Sequence, residues 1–304
     1  MHTYTKDQLA RYFKRIRFTP RDGQEPRDMA ASDPLGFLTT LQRLHMVWVP
    51  FESLTLHYSR HRLLSLDPED LFQKIVDNNR GGYCMEVNTL FGTVLRSLGF
   101  TLFSAGARVK NQSGYQGWNH MVNIVTVSST RYLVDVGFGA DTPPQPVPLL
   151  HPYVFPCVLP VRGRLEYKSI DEHTDANQRV WVFSSQEHAD APWKELYAFV
   201  ELEFFPADFE VMNLSAMTAP QSYFVQTVVC VRTIMDDEVQ GPVGVMILHK
   251  DYLKRRLGGE TEIVQRFEKE VERVVALAVY FGIGLKGADQ RAIRGLASEL
   301  RGGS

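Results

Sequence analysis

The sequence predicts an α+β protein that runs helical first, then all-β, then mixed. Three observations carry this. Up to about residue 100 apolar residues recur at the helical spacing of three and four. From about 100 to 205 they fall into short β-branched and aromatic runs separated by turn residues. Beyond about 206, strand-like runs and a long amphipathic pattern share the remaining chain. The divisions expected are a helical part at 1–100, a β part at 101–205 and a mixed part at 206–304.

Each element has a local reason. Thr5 with Gln8 three residues later spells a capping box, and Leu9, Tyr12, Phe13 and Ile16 follow on one helical face. The polar, turn-rich stretch at 17–34 reads as a loop. A second helix through "LGFLTTLQRLHMVW" ends before Pro50, which restricts the residue preceding it. Asp67 is the natural N-cap and Pro68 the first residue of a third helix, with Leu71, Phe72, Ile75 and Val76 as its apolar face. After Arg80-Gly81-Gly82-Tyr83, a fourth helix opens at Cys84, and Gly99 suits its C′ position. The β part contains "TLFSAGARV", "HMVNIVTV", "RYLVDVGF", "RLEYKSI" and "RVWVFSS", a sheet or barrel and not a series of βαβ units. In the last part "YFVQTVVCVRTI" and "VGVMILHK" read as strands. "GETEIVQRFEKEVERVVALAV" reads as one long amphipathic helix.

Composition removes several functional classes. Hydrophobic residues at 44%, charged residues at 22% and a net charge of −2 describe an ordinary soluble protein with no basic footprint for nucleic acid or anionic membrane. The first residues lack the apolar region of a secretory signal, and the longest apolar run is too short to span a bilayer. The three cysteines, Cys84, Cys157 and Cys230, are far apart and form no CxxC, so neither a disulfide framework nor a zinc ribbon is expected. A reducing, cytoplasmic setting fits.

The chemistry centres on "NNRGGYCMEVN". A cysteine attacks as the thiolate, and a helix N-terminus favours negative charge through its unpaired N–H groups and macrodipole. Cys84 on the first turn of a helix meets that condition, although the placement equally suits a buried structural cysteine. The choice rests on a base and an orienting acid elsewhere. His120 opens a strand in "GWNHMVNIV", and Asp135 interrupts the apolar "YLVDVGF", where a carboxylate needs a partner. A turn centred near Val127–Ser128 sets them opposite each other; one centred on Ser129 offsets them by about three residues. A core histidine and an aspartate capping the Gly-Phe-Gly turn explain the same residues separately.

Taken together, "RGGYCMEVN", "HMVNIV" and "YLVDVGFG" resemble the arylamine N-acetyltransferase family in order and spacing. "YFKRI" at 12–16, "VPFESL" at 49–54, "DFEVMN" at 208–213 and "APQSYF" at 219–224 extend the resemblance over most of the chain. It is weakest at 17–34 and about 165–195. The resemblance implies three domains, namely a helical domain, a β-barrel and an α/β lid, around a cysteine-protease-like catalytic core. It implies Cys84 as nucleophile, His120 as base and Asp135 as orienter, with Phe51 and Phe138 lining the acceptor pocket and Arg80 supporting the site. Gly117 falls in the loop that meets the acyl donor, and the stretch from Ser215 to Tyr223 matches the lid side that touches coenzyme A. Ser53 stands where the family more often has Asn, a change expected to be tolerated. No permanent cofactor is implied: acyl-coenzyme A is a co-substrate, with acetyl the expected acyl group and malonyl possible. An arylamine, hydrazine or arylhydroxylamine is the acceptor, through a Cys84 thioester and ping-pong turnover. The family's usual role is detoxification of aromatic amines, and a monomer or weak homodimer is expected.

Other patterns weigh less. Gly282, Gly284 and Gly287 spell GxGxxG, but too little chain follows for a dinucleotide fold. His57 and His61 give HxxxH without a zincin glutamate. "HKDYLKRR" at 249–256 reads as a solvated basic segment, with coenzyme A phosphates as its other use. The competing classes are a papain- or transglutaminase-like enzyme using the same three residue types on peptide amides, and a non-enzymatic binding protein that retained the fold.

Overall fold

Residues 2–20, 23–236 and 241–302 are described by a computed structural model of the chain. The helical part comprises α1 (Lys6–Arg15), α2 (Pro26–Ser32), α3 (Pro34–Trp48), α4 (Pro68–Phe72), which continues as a π-helical turn over Gln73–Asp77, and α5 (Cys84–Ser97). The short strand β1 (Phe51–Glu52) lies between α3 and α4. Local signals fix these boundaries. Thr5 and Gln8 form the reciprocal cap, Asp67 accepts from the N–H groups of Glu69 and Asp70, and Gly99 takes a left-handed φ of 95°.

Helix α5 is the axis of this part. Of its 14 residues 12 are buried, including Val87, Leu90, Phe91, Val94 and Leu95. A helix apolar on all sides must be enclosed, and each such side chain contributes roughly 1.5–3 kcal/mol on burial. Its neighbours in one core are Tyr12, Phe13, Leu38, Leu41, Phe72 and Ile75 on one side and Val125, Val134 and Val136 of the sheet on the other. At Gly92 a Cβ would lie 2.9 Å from the Asn123 side chain, so the helix rests directly on the strand carrying His120.

The β part is one antiparallel sheet of nine strands: β2 (Thr101–Asn111), β3 (Gly114–Tyr115), β4 (His120–Val127), β5 (Thr130–Val134), β6 (Val147–Pro148), β7 (Tyr153–Pro156), β8 (Arg162–Lys168), β9 (Val180–Gln186) and β10 (Lys194–Glu203). Its order is β6-β5-β4-β2-β10-β9-β8-β7, with β3 on β2, and it curls into a nearly closed barrel around Phe155, Leu165, Phe183, Tyr197 and Phe199. Helices α6 (Pro206–Thr218) and α7 (Tyr223–Gln226) then lead to a second sheet. That sheet places β1 beside β11 (Val229–Asp236), β12 (Gly241–His249), β13 (Tyr252–Leu257) and β14 (Glu260–Arg266). Helices α8 (Glu270–Phe281) and α9 (Gly287–Arg291) close the chain, with Leu277 and Phe281 against Leu248 and Leu253. No helix among the described residues is long and apolar enough to cross a membrane.

Several elements differ from the sequence expectation, among them β10 and β13, which are not expected there as strands. Part of the 17–34 loop is α2, a helix that buries none of its own residues and so leaves no apolar period; Arg21 and Asp22 of that loop lie outside the described residues. The long helix expected from Gly259 splits into β14 and α8. Gly258 and Gly259, both at positive φ, turn the chain back so that Thr261 pairs with Arg256. Residues Tyr223–Gln226 are helical, and the strand begins only at Val229.

Beneath the start of α5 two buried carboxylates are each held by a cation. Glu52 accepts from Arg80 Nε at 3.1 Å and from the Gly81 and Leu54 N–H groups, while Glu86 takes Lys74 Nζ at 2.6 Å and the Tyr83 N–H at 3.1 Å. Burial alone would raise the pKa of Glu52, but Arg80, Lys74 and the two N–H groups hold it below the ordinary carboxylate value. A lowered folded pKa means that this stabilisation is present above the unfolded value and disappears as pH falls through the folded one. Arg80→Ala leaves Glu52 buried without its cation. The expected outcome in urea unfolding at neutral pH is a loss of about 3–5 kcal/mol; a loss below about 1 kcal/mol, the scale of an exposed pair, contradicts the assignment.

Candidate active site

Cys84 is the first residue of α5, and the two glycines before it are required by close approach. A Cβ on Gly81 would sit 1.8 Å from the Pro50 carbonyl oxygen, and one on Gly82 would meet the Glu86 side chain at 2.7 Å. The Gly81–Gly82 backbone thereby runs against Pro50–Glu52, with Glu52 N donating to Gly82 O. Tyr83 is fully buried and its hydroxyl donates to Asn213 Oδ1 of α6, which anchors the turn on the lid side.

The β4–β5 turn resolves the hairpin register. Ser128 and Ser129, both at positive φ, form a two-residue turn, and Val127 pairs with Thr130. Neither register anticipated from the sequence is the one found. Extending the observed pairing sets His120 two residues out of step with Asp135, which leaves them diagonal neighbours on one face. His120 Nε2 lies 2.8 Å from Asp135 Oδ2, and both groups are buried.

Cys84 interacts electrostatically with the imidazole, and its Sγ lies 3.9 Å from the Asn119 carbonyl oxygen. Burial alone would strip His120 of its charge, but Asp135 and then Cys84 outweigh it and raise its pKa to about 10. Burial likewise opposes ionisation of Asp135, yet His120, Asn88 and the Gly137 N–H hold its carboxyl below the usual range.

Asn88, one turn along α5 from Cys84, had not been singled out in the sequence. Its Nδ2 donates to Asp135 Oδ1 at 2.9 Å and to the Met121 carbonyl at 2.8 Å, while its Oδ1 accepts from Val136 N at 3.1 Å. The helix that carries the cysteine thus also holds the aspartate. Gly137 N donates to Asp135 Oδ1 at 2.7 Å, so the carboxylate caps the following turn with one oxygen and orients the histidine with the other. A Cβ on Gly137 would lie 2.7 Å from Cys84 Cα and 2.9 Å from Asn88 Nδ2. Tyr197 of β10 closes the back of the site: its ring is 5.0 Å from that of His120, and burial followed by Asp135 raises its phenol well above the ordinary value. The Asn of "MEVN" at helical spacing from Cys84 was the available signal for Asn88; Tyr197 had none.

The remaining predicted residues distribute unevenly. The Phe138 ring packs 5.1 Å from His120, and Phe51 lies 5.9 Å from Phe224 and against Gly139. Phe51 packs against the cluster that contains Cys84, whereas Phe138 packs against the barrel core beside His120 and Tyr197. Arg80 reaches the site through Glu52. Gly117 is exposed three residues before His120. Tyr223 is half-exposed beside Phe224 and His249, whereas Ser215 is exposed on α6, whose inward residues are Phe209, Met212 and Asn213. Ser53 pins β1 to the lid by donating to Thr227 O and accepting from Val229 N.

His57 is committed to Ser298, Phe224 and Thr227, and Gly282 is the left-handed cap of α8. Burial raises the Cys157 thiol to about 12 and the Cys230 thiol well above its ordinary value. The basic segment 249–256 is mostly β13, and its Arg256 donates to Ala140 O across from the lid sheet.

With this geometry in place, comparison defines the class: residues 34–290 match an N-acetyltransferase family profile. The chain belongs to the arylamine N-acetyltransferase family, whose members are acyl-coenzyme A-dependent acyltransferases. It is 35% identical to N-malonyltransferase FDB2 of Fusarium pseudograminearum over 98% of this chain and 94% of that one. It is 31% identical to the arylamine N-acetyltransferase of Mycolicibacterium smegmatis, covering 88% and 91% of the two chains. The Mycobacterium marinum arylamine N-acetyltransferase in complex with CoA superposes with a TM-score of 0.76 at 28% identity, over 95% of this chain and 99% of the other.

Gly137→Ala forces the β5 end away from Cys84. The expected outcome is a loss of about 1–3 kcal/mol in stability and a fall in Cys84 alkylation rate by iodoacetamide. Alkylation and unfolding unchanged from wild type contradict the close approach.

Proposed function

We propose that this protein transfers an acyl group from coenzyme A to an aromatic amine, hydrazine or arylhydroxylamine through a thioester on Cys84. The observation that carries the reading is the buried Asp135–His120 pair directed at a cysteine on the first turn of a helix. In this reading residues 1–100 carry the nucleophile, 101–205 the base and acid, and 206–304 the lid. The protein works in a reducing cytoplasm, where Cys84 stays free.

Cys84 attacks the thioester carbonyl as the thiolate beside a cationic His120. As the tetrahedral centre collapses, the C–S bond to coenzyme A breaks, and the His120 proton passes to the departing sulfur. Having given up that proton, the imidazole is left neutral. It can then accept the proton of the attacking amine. Expulsion of Cys84 forms the amide and restores the ion pair. Asp135 holds the tautomer and balances the charge throughout. The two half-reactions share one site and give ping-pong kinetics.

Malonyl-coenzyme A is the donor favoured by similarity. The relatives named N-malonyltransferase reach 34–35% identity over 95–98% of the chain, against 31% over 88% for the mycolicibacterial N-acetyltransferase. Acetyl is the second reading, carried by the family profile.

Intact-protein mass after brief exposure to acetyl-, propionyl- or malonyl-coenzyme A, on wild type and Cys84→Ala, tests this directly. The expected result is an adduct heaviest in occupancy with malonyl, absent in the variant and discharged by an aromatic amine. Absence of any Cys84-dependent coenzyme A release, with or without amine, overturns the transferase. Asp135→Asn is expected to slow acylation on the order of 10²–10⁴-fold in stopped-flow coenzyme A release; an unchanged rate removes Asp135 from the mechanism.

A further inference from the structure

Away from Cys84, a cleft of about 570 Å³ opens between α1, the C-terminal end of α3, β11 and the end of α8. Arg11, Lys14, Arg15, Arg17 and Arg232 line it, and Asp77 is the carboxylate among its lining residues. Asp77 is occupied by Arg11 at 2.8 Å. Among the described residues, Lys14, Arg15, Arg17 and Arg232 have no carboxylate within ion-pair distance.

The cations are held in place by other means. The Arg17 backbone is left-handed, with φ 53°, and its guanidinium lies over the Trp48 ring at 3.6 Å. Arg15 Nε donates to Ile75 O at 3.0 Å and its Nη2 to Arg80 O at 3.1 Å. The Nε of Arg232 is buried without a hydrogen-bond partner. A solvated basic face would neither bury a guanidinium N–H unpaired nor fix its arginines on an aromatic ring and on carbonyls. The cations also disfavour one another. Burial first, with Arg17 adding repulsion, lowers the pKa of Arg15 to about 10 and depresses that of Arg232. The C-terminal turn of α8 at the rim supplies only the partial negative charge of its carbonyls.

We propose that this cleft binds the phosphoryl group of a small molecule. Three guanidinium groups brought from α1, the turn after it and β11 offer several N–H donors at different angles. A tetrahedral group with three terminal oxygens can accept from all of them, whereas a planar carboxylate pairs with one fork. The volume falls in the range of small-molecule sites and exceeds what bare phosphate fills, so a phosphorylated organic molecule fits best. The site does not include Cys84, His120 or Asp135, and it adjoins the turn before Cys84 through Pro50, Asn79 and the Arg15 contact to the Arg80 carbonyl.

The probe is inorganic pyrophosphate, titrated calorimetrically at low ionic strength into the full chain against a chloride-matched control. The expected result is saturable one-to-one binding, weakened about tenfold or more by Arg17→Ala and by Arg232→Gln, the loss of one charge-assisted contact. Cys84 acylation is expected to persist in both variants. Lys14→Glu, at an exposed position, gives the same weakening and serves if either arginine variant unfolds. Competition with coenzyme A in Cys84→Ala distinguishes the two sources of the group. Displacement assigns the coenzyme's own phosphates, and coexistence assigns a separate phosphorylated compound. No saturable binding, or binding of equal strength in all three variants, overturns the proposal.

Discussion

The contact on which the catalytic region depends is the 2.8 Å approach of His120 Nε2 to Asp135 Oδ2 in a site where both groups are buried. An isolated carboxylate or imidazolium there would be too costly in desolvation to remain charged. Paired, each stabilises the other's ionised form, and the surrounding structure serves to keep them so. Asn88 and the Gly137 N–H saturate the second carboxylate oxygen, while Tyr197 and Phe138 enclose the ring. Because Asn88 belongs to the helix that begins with Cys84, that helix also positions the carboxylate paired with His120.

The same logic recurs beneath the helix start. Glu52 lies against Arg80 and Glu86 against Lys74, partners from neighbouring segments, and burial outweighs Lys74 at Glu86, whose pKa is raised. They fix the Gly81–Tyr83 turn rather than add much net stability, since a buried pair seldom outperforms well-packed apolar residues. Their role is positional: the glycine pair can lie against Pro50 only if no side chain intervenes, and the two carboxylates cap the N–H groups left by that turn.

What could be read from the sequence follows from how local each cause is. The caps at Thr5, Asp67 and Gly99 and the helix start at Cys84 were legible because each depends on residues within one turn. The family motifs singled out Cys84, His120 and Asp135, and the structure pairs the last two at 2.8 Å. The hairpin register was not legible, because Ser128-Ser129 carries none of the glycine or asparagine signal that marks a turn with two left-handed residues. Helix α2 was missed for want of an apolar face, and β14 because "EIV" fits either period until the Gly258–Gly259 turn fixes its partner. Tyr197 and the cations around Arg232 converge from distant segments, so no spacing could reveal them. The turn cap and the contact to His120 are both made by Asp135 at once, one oxygen for each.

Against the cost of burial, Asp135 and then Cys84 raise the pKa of His120 to about 10, so the ring is protonated at neutral pH. A raised folded pKa makes this charge stabilising below the ordinary histidine value of 6.5, with the contribution lost as pH rises toward about 10. The measurement that tests it most directly is the titration of the His120 ring nitrogens by ¹⁵N NMR, in wild type and in Asp135→Asn. The expected imidazolium persists through neutral pH and titrates near 10 in wild type, falling toward the ordinary value in the variant. A wild-type ring that loses its proton near 6.5, unmoved by Asp135→Asn, would contradict it.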